Sequence, residues 1–115
     1  MSSFAKFLAD RVESYIALRR SLGYAFRKSA AVLRALARYV ADEDRDGPFT
    51  QDLAVKFVLS WDGTANGRAS RHGVVRRFCD YLAIYDGRTE ALDPRTFPRS
   101  RAILPPAILI FSDRD

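Results

Sequence analysis

The chain holds one histidine and one cysteine, His72 and Cys79. A nucleophile and its base must sit within hydrogen-bond reach. Seven residues apart on one helix, the two are separated by about 10 Å along its axis, too far for such a pair. Cys79 falls on an apolar stripe and reads as a small core residue. No second cysteine or histidine supplies the spacing of a metal site. No glycine-rich loop of the GxxxxGK[ST] kind is present to cradle a nucleotide. The carboxylates gather at helix ends, where helix punctuation accounts for them. No cofactor, metal or small-molecule substrate is expected.

The chemistry these residue types do support is recognition of phosphate. The net charge is +5, carried mostly by arginine. Its placement matters more than its size. Between Ser14 and Val40 there is no acid, and the bases are Arg19, Arg20, Arg27, Lys28, Arg34 and Arg38. Arg27, Arg34 and Arg38 step by seven and four, which puts them on one helix face. A face that served only solubility would mix signs in i,i+4 pairs. From Gly63 to Cys79 acids are again missing, while Arg68, Arg71, His72, Arg76 and Arg77 are present with Ser70, Thr64 and Asn66. Free amides at a helix start, hydroxyls and guanidinium groups suit phosphate oxygens, and arginine can also read guanine in the major groove. Arg76 adjoins the apolar stripe, so it is a packing candidate as well.

Four helices must position these groups. The first is expected from about Ser3 to Leu22, with Phe4, Leu8, Val12, Tyr15, Ile16, Arg19 and Leu22 on one face. Ser2 or Ser3 can cap it, and Gly23 suits its left-handed end. The second spans GYAFRKSAAVLRALARYVADED, with Phe26, Leu33, Leu36 and Val40 inward, and stops at Asp46-Gly47-Pro48. The third starts at the cap Thr50 and presents Leu53, Phe57, Val58 and Trp61. The fourth is expected from about Arg68 to Tyr85 around Val75, Phe78, Cys79 and Leu82. Core or boundary packing is the default for Tyr15, Tyr24, Tyr39, Tyr81 and Tyr85. No strand-rich region exists, so the fold class is all-α. At 115 residues there is room for one domain, here 1–86. Residues 87–115 follow as a Pro/Arg-rich extended linker. It ends PPAILIFSDRD, whose Ile108, Leu109, Ile110 and Phe111 are expected to pack on something other than their own body. The lone cysteine and the lack of a signal peptide or of any roughly 20-residue apolar span point to the cytoplasm and away from membranes.

Four stretches, in this order, resemble the N-terminal core-binding domain of tyrosine recombinases of the phage-integrase type. They are RRSLGY (Arg19 to Tyr24), the basic second helix, VRRFCDYL (Val75 to Leu82) and DGRTE (Asp86 to Glu90). The tail is similar to that family's proline-rich linker. The resemblance implies a SAM-like bundle of four or five helices in crossed hairpins. It implies double-stranded DNA as partner, clamped through the second and fourth helices, with neighbouring protomers on the DNA. Those helices carry Arg27, Lys28, Arg34, Arg38, Arg68, Ser70, Arg71, His72, Arg76 and Arg77. Gly87 replaces a proline usual in the family, and His72-Gly73 stands where it prefers Leu and a small residue. The family's catalytic Arg, Lys, His and Tyr belong to a domain that would follow Asp115, so no residue here inherits a catalytic role. Two other readings stay open. One is a helical protein–protein interaction module, with Lys6, Asp10, Arg11 and Glu13 as its partner surface. The other is a bundle whose arginines reflect genome composition.

Overall fold

The computed structural model describes residues 2–61 and 63–97. Four helices account for most of them: α1 (Ser3–Ser21), α2 (Arg27–Asp42), α3 (Gln51–Leu59) and α4 (Ala65–Tyr85). Helix α1 begins where Ser2 Oγ accepts from the Ala5 amide, and the same hydroxyl donates to the Arg45 carbonyl, 2.7 Å away. One serine therefore caps the start of α1 and ties it to the end of α2. The chain leaves α1 through Gly23, whose φ of 96° is cheap only for glycine.

Helix α2 starts later than its apolar pattern predicts. Phe26 takes a left-handed conformation at φ 60°, which ends the turn and holds helical geometry back to Arg27. Helix α4 starts earlier than expected. Thr64 Oγ1 accepts from the Gly67 amide, so the loop residues Ala65 and Asn66 become its first turn. Thr50 caps α3 as expected, accepting from the Leu53 amide.

The helices form two hairpins, α1 with α2 and α3 with α4, and α4 packs against α1, α2 and α3. Its buried stripe of Val75, Phe78, Cys79 and Leu82 closes the core against Leu8, Val12, Leu33, Leu36 and Phe57. Tyr15 sits at the centre of an aromatic group, with its ring 5.5 Å from Phe78 and 5.0 Å from Tyr81. Gly47 lets the α2–α3 connection cross the Phe4 ring; a Cβ there would meet that ring at 2.5 Å. Tyr24 departs from the expected packing. It is 53% exposed, because the left-handed Phe26 turns inward in its place.

After α4 the chain doubles back on the bundle. Residues 87–97 have no helix, yet they are held against the body. The Glu90 amide donates to the Phe49 carbonyl, and Glu90 Oε1 accepts from the Gln51 amide at the start of α3. Gln51 Oε1 accepts from the Asp93 amide, and Leu92 between them is buried. Three polar contacts and two apolar side chains, Leu92 and Phe97, thus fasten the first third of the segment read as linker. The apolar run Ile108 to Phe111 lies outside the described residues.

Candidate nucleic-acid interface

Helix α2 carries the first group of cations. Arg27, Lys28 and Arg38 are exposed. No side chain caps the amides of its first turn. Two bases thus stand at the positive end of a helix, where the macrodipole favours an anion. Arg34 shares their face but is engaged. Its Nε and Nη2 each donate to a Glu13 carboxylate oxygen at 3.0 Å, a two-pronged clasp between α2 and α1. The clasp holds Glu13 below the usual carboxylate range.

Helix α4 carries the second group, and helical geometry divides it. Ser70 and Arg77, seven apart, are exposed. Arg68 and Arg71 stand seven and four residues before the buried Val75, so their stems lie beside the core stripe and both are half-buried. Arg71 lays its guanidinium on the Trp61 ring, 4.6 Å from its centre. A Cβ on Gly63 would come within 3.1 Å of Arg71 Nη1, so the bare loop leaves that group its room. Arg68 Nε and Arg71 Nη1 are shielded and have no hydrogen-bond partner among the described residues. Arg76 is half-buried, in line with its reading as partly a packing residue.

His72 is a correction. It was grouped with the surface bases, but only 2% of it is exposed. It stands three residues before Val75 and seven before Cys79, so it continues the buried stripe toward the helix start. Its ring lies 5.2 Å from Phe97, and its Nε2 has no hydrogen-bond partner among the described residues. Burial is the main cause that lowers its pKa, and the charge of Arg76 adds to it. The neutral imidazole is thereby favoured, and it does not reach a surface ligand. With Arg76, Arg77, Pro94 and Phe97 it lines a cavity of about 320 Å³.

Arg19, near the end of α1, stands in the sequence both among the bases of the acid-free stretch and on the apolar face of α1. Its guanidinium lies 4.4 Å from the Tyr24 ring centre and 5.8 Å from that of Phe26, with Nε shielded and unpartnered. No periodicity signals this, because the left-handed Phe26 creates it. Trp61, too, was legible only as a core residue.

Among the described residues the ion pairs are Arg34–Glu13, Lys56–Asp52, Arg88–Asp86 and Arg95–Asp93. None involves Arg27, Lys28, Arg38, Arg68, Arg71, Arg76 or Arg77. Helices α2 and α4 pack directly on each other, so these seven cations lie on neighbouring elements. No group of three or more possible metal ligands occurs among the described residues, and none of their helices is long and apolar enough to cross a membrane. Cys79 is buried, and burial raises its thiol pKa well above the usual range.

The chain is similar to a known protein over nearly all its length. It is 61% identical over 109 residues, 95% of this chain, to "Putative integrase/recombinase y4rE" of Sinorhizobium fredii (strain NBRC 101917 / NGR234). The match covers 35% of that relative, so the chain spans about a third of its length. No protein-family model matches the chain, and no solved structure does.

Proposed function

We propose that this chain, homologous to part of an integrase/recombinase, is the non-catalytic DNA clamp of a site-specific tyrosine recombinase working in the cytoplasm. In this reading α2 and α4 face the duplex as a SAM-like core-binding unit, and the chemistry of strand exchange belongs to a separate catalytic domain. The observation that carries the proposal is the set of seven cations on α2 and α4 that form no ion pair among the described residues. Buried Cys79 and core-facing His72 support a binding role over a catalytic one.

Arg27, Lys28, Arg38 and Arg77 are the exposed cations, suited to phosphate oxygens as solvent-accessible donors. Arg71 is suited to a fixed direction of approach, because its stacking on Trp61 restricts it before any ligand arrives. Contacts of this kind position a protein on DNA without reading sequence. Base readout would fall to guanidinium groups that enter the major groove.

A gel-shift titration with duplex DNA across salt concentrations tests the proposal. Each neutralised phosphate adds about −0.9 to the log–log slope. Four contacts from the seven cations give a slope steeper than about −3, or roughly a hundredfold loss of affinity between 50 and 200 mM salt. Binding that is absent, or indifferent to salt, overturns it.

A further inference from the structure

The α1–α2 turn carries a largely exposed apolar tip, on which the Arg19 guanidinium covers part of the Tyr24 ring. Leu22 is 62% exposed, Tyr24 53% and Leu18 44%. Leu18 and Leu22 are four apart and share a face of the last turn of α1 and its cap. The surroundings are wholly basic. Arg19, Arg20, Arg27 and Lys28 flank the tip, and no acid occurs between Ser14 and Val40.

The other end of α1 has the complementary character. A groove of about 530 Å³ opens between the start of α1, the 46–47 connection and the end of α4. Phe4, Phe7, Gly47 and Tyr85 give it apolar walls, and Ile84, beside Tyr85 in the chain, is 77% exposed. Asp46 and Asp86 stand on its rim. Asp86 is held by Arg88, but Asp46 has no ion-pair partner among the described residues. Asp46 also ends a segment, 42–46, with four carboxylates and one base.

We propose that Leu22 and Tyr24 of one chain seat in the Phe4–Phe7–Tyr85 groove of a second copy, with Arg20 facing the carboxylates of the 42–46 segment. Tip and groove stand at opposite ends of a 19-residue helix. About 27 Å separates them at the helical rise, so a chain cannot seat its own tip. The contact is head-to-tail, with different surfaces on the two partners, and each copy keeps one free tip and one free groove. Such a contact can order successive protomers along a duplex. It uses neither Arg38 nor Arg77 and does not depend on DNA, so its failure and that of the DNA reading are separable.

Sedimentation velocity of the full chain without DNA tests it, at low salt and from about 10 μM to about 1 mM, a range suited to a small interface. The sedimentation coefficient is expected to rise with concentration. Leu22→Glu and Tyr85→Glu, both at exposed positions and checked for helicity by circular dichroism, are each expected to abolish the rise. An equimolar mixture of the two variants restores one dimer, because the intact tip of Tyr85→Glu meets the intact groove of Leu22→Glu. A wild-type chain that stays monomeric overturns the proposal, as does Leu22→Glu that associates like wild type, or a mixture that stays monomeric. Association lost in Tyr85→Glu but kept in Leu22→Glu also overturns it, since the groove then receives another segment, such as 98–115.

Discussion

Helices α1 and α4 both carry arginines, but they use them differently. On α1, Arg11 lies over the Tyr85 ring at 4.4 Å, and Arg19 is enclosed by Tyr24 and Phe26. One of the two acids of α1, Glu13, takes up Arg34 of α2. Arg11, Glu13 and Arg19 thus serve contacts within the bundle. On α4, Arg77 faces water, Arg71 is stacked on Trp61 with no ion pair among the described residues, and no acid occurs from Gly63 to Cys79. The net charge of +5 describes neither helix. What distinguishes a binding surface from a structural one is whether each cation already has a partner. An arginine paired with a carboxylate must give up that bond before it can meet a phosphate, and the exchange gains little.

The largest expected effect comes from breaking this contrast with net charge held constant. The double variant Arg27→Glu/Arg77→Glu and the double variant Arg11→Glu/Arg88→Glu change the total charge equally. Hydrogen bonds to charged groups are worth about 1.5–3 kcal/mol each, so losing two costs about 100-fold or more in duplex affinity. The first variant is expected to lose that much by gel shift and the second less than about threefold. Equal losses would mean that DNA senses only the overall field, and the assignment to α2 and α4 would fall.

A smaller effect separates two residues on one face. Arg34 and Arg38 are one helical turn apart on α2, and only Arg34 is clasped by Glu13. Arg38→Gln is expected to weaken duplex binding about fivefold and to flatten the salt slope by about 0.9. Arg34→Gln is expected to leave the slope unchanged and to lower the thermal midpoint slightly, since it removes a tie between α1 and α2. A slope that flattens equally in both variants would show that the clasp opens on DNA.

Much of the bundle was legible because helix periodicity reports burial directly. The apolar stripes of the four helices are core, except that Leu22 at the end of the α1 stripe is exposed, and the caps Ser2 and Thr50 act where small hydroxyl residues precede an apolar run. What was not legible depends on single backbone states or distant partners. The left-handed Phe26 moved the start of α2, exposed Tyr24 and enclosed Arg19, and a bulky residue in that conformation has no sequence signature. The return of residues 87–97 rests on Gln51 meeting Asp93 across 42 positions and on Leu92, a lone apolar residue in a polar stretch. Within the candidate site, the acid-free stretches fall largely on α2 and α4, where the cations without an ion pair among the described residues lie. They did not separate Arg34 from Arg38, because the partner of Arg34 lies on another helix. His72 was a different kind of miss. Extending the stripe Leu82, Cys79, Val75 back by three residues reaches it, but its residue type suggested the surface.

His72 therefore gives the smallest and most specific test of the contrast, as a base held neutral in the core rather than charged at the surface. The charged groups facing it are Arg76 from α4 and Asp93 from the returning segment. Burial, then Arg76, lower its pKa from the ordinary value near 6.5, and Asp93 opposes them more weakly. As pH falls below 6.5, the unfolded chain binds a proton that the folded chain refuses. Stability is then intact above about 6.5 and is lost as pH falls toward the lower folded value, at no more than about 1.4 kcal/mol per pH unit. The carboxylates of Glu13, Asp86 and Asp93 are also lowered, but their loss sets in only below their ordinary range near 4. Urea midpoints at pH 7.5 and pH 5.5 isolate the histidine. The wild-type midpoint is expected to fall between the two, and His72→Leu, apolar and of similar volume, is expected to remove most of that fall. A drop that persists in His72→Leu would assign the pH dependence to other groups. A wild-type midpoint that rises at pH 5.5 would mean that the imidazolium is welcomed, as it would be beside a phosphate at the surface.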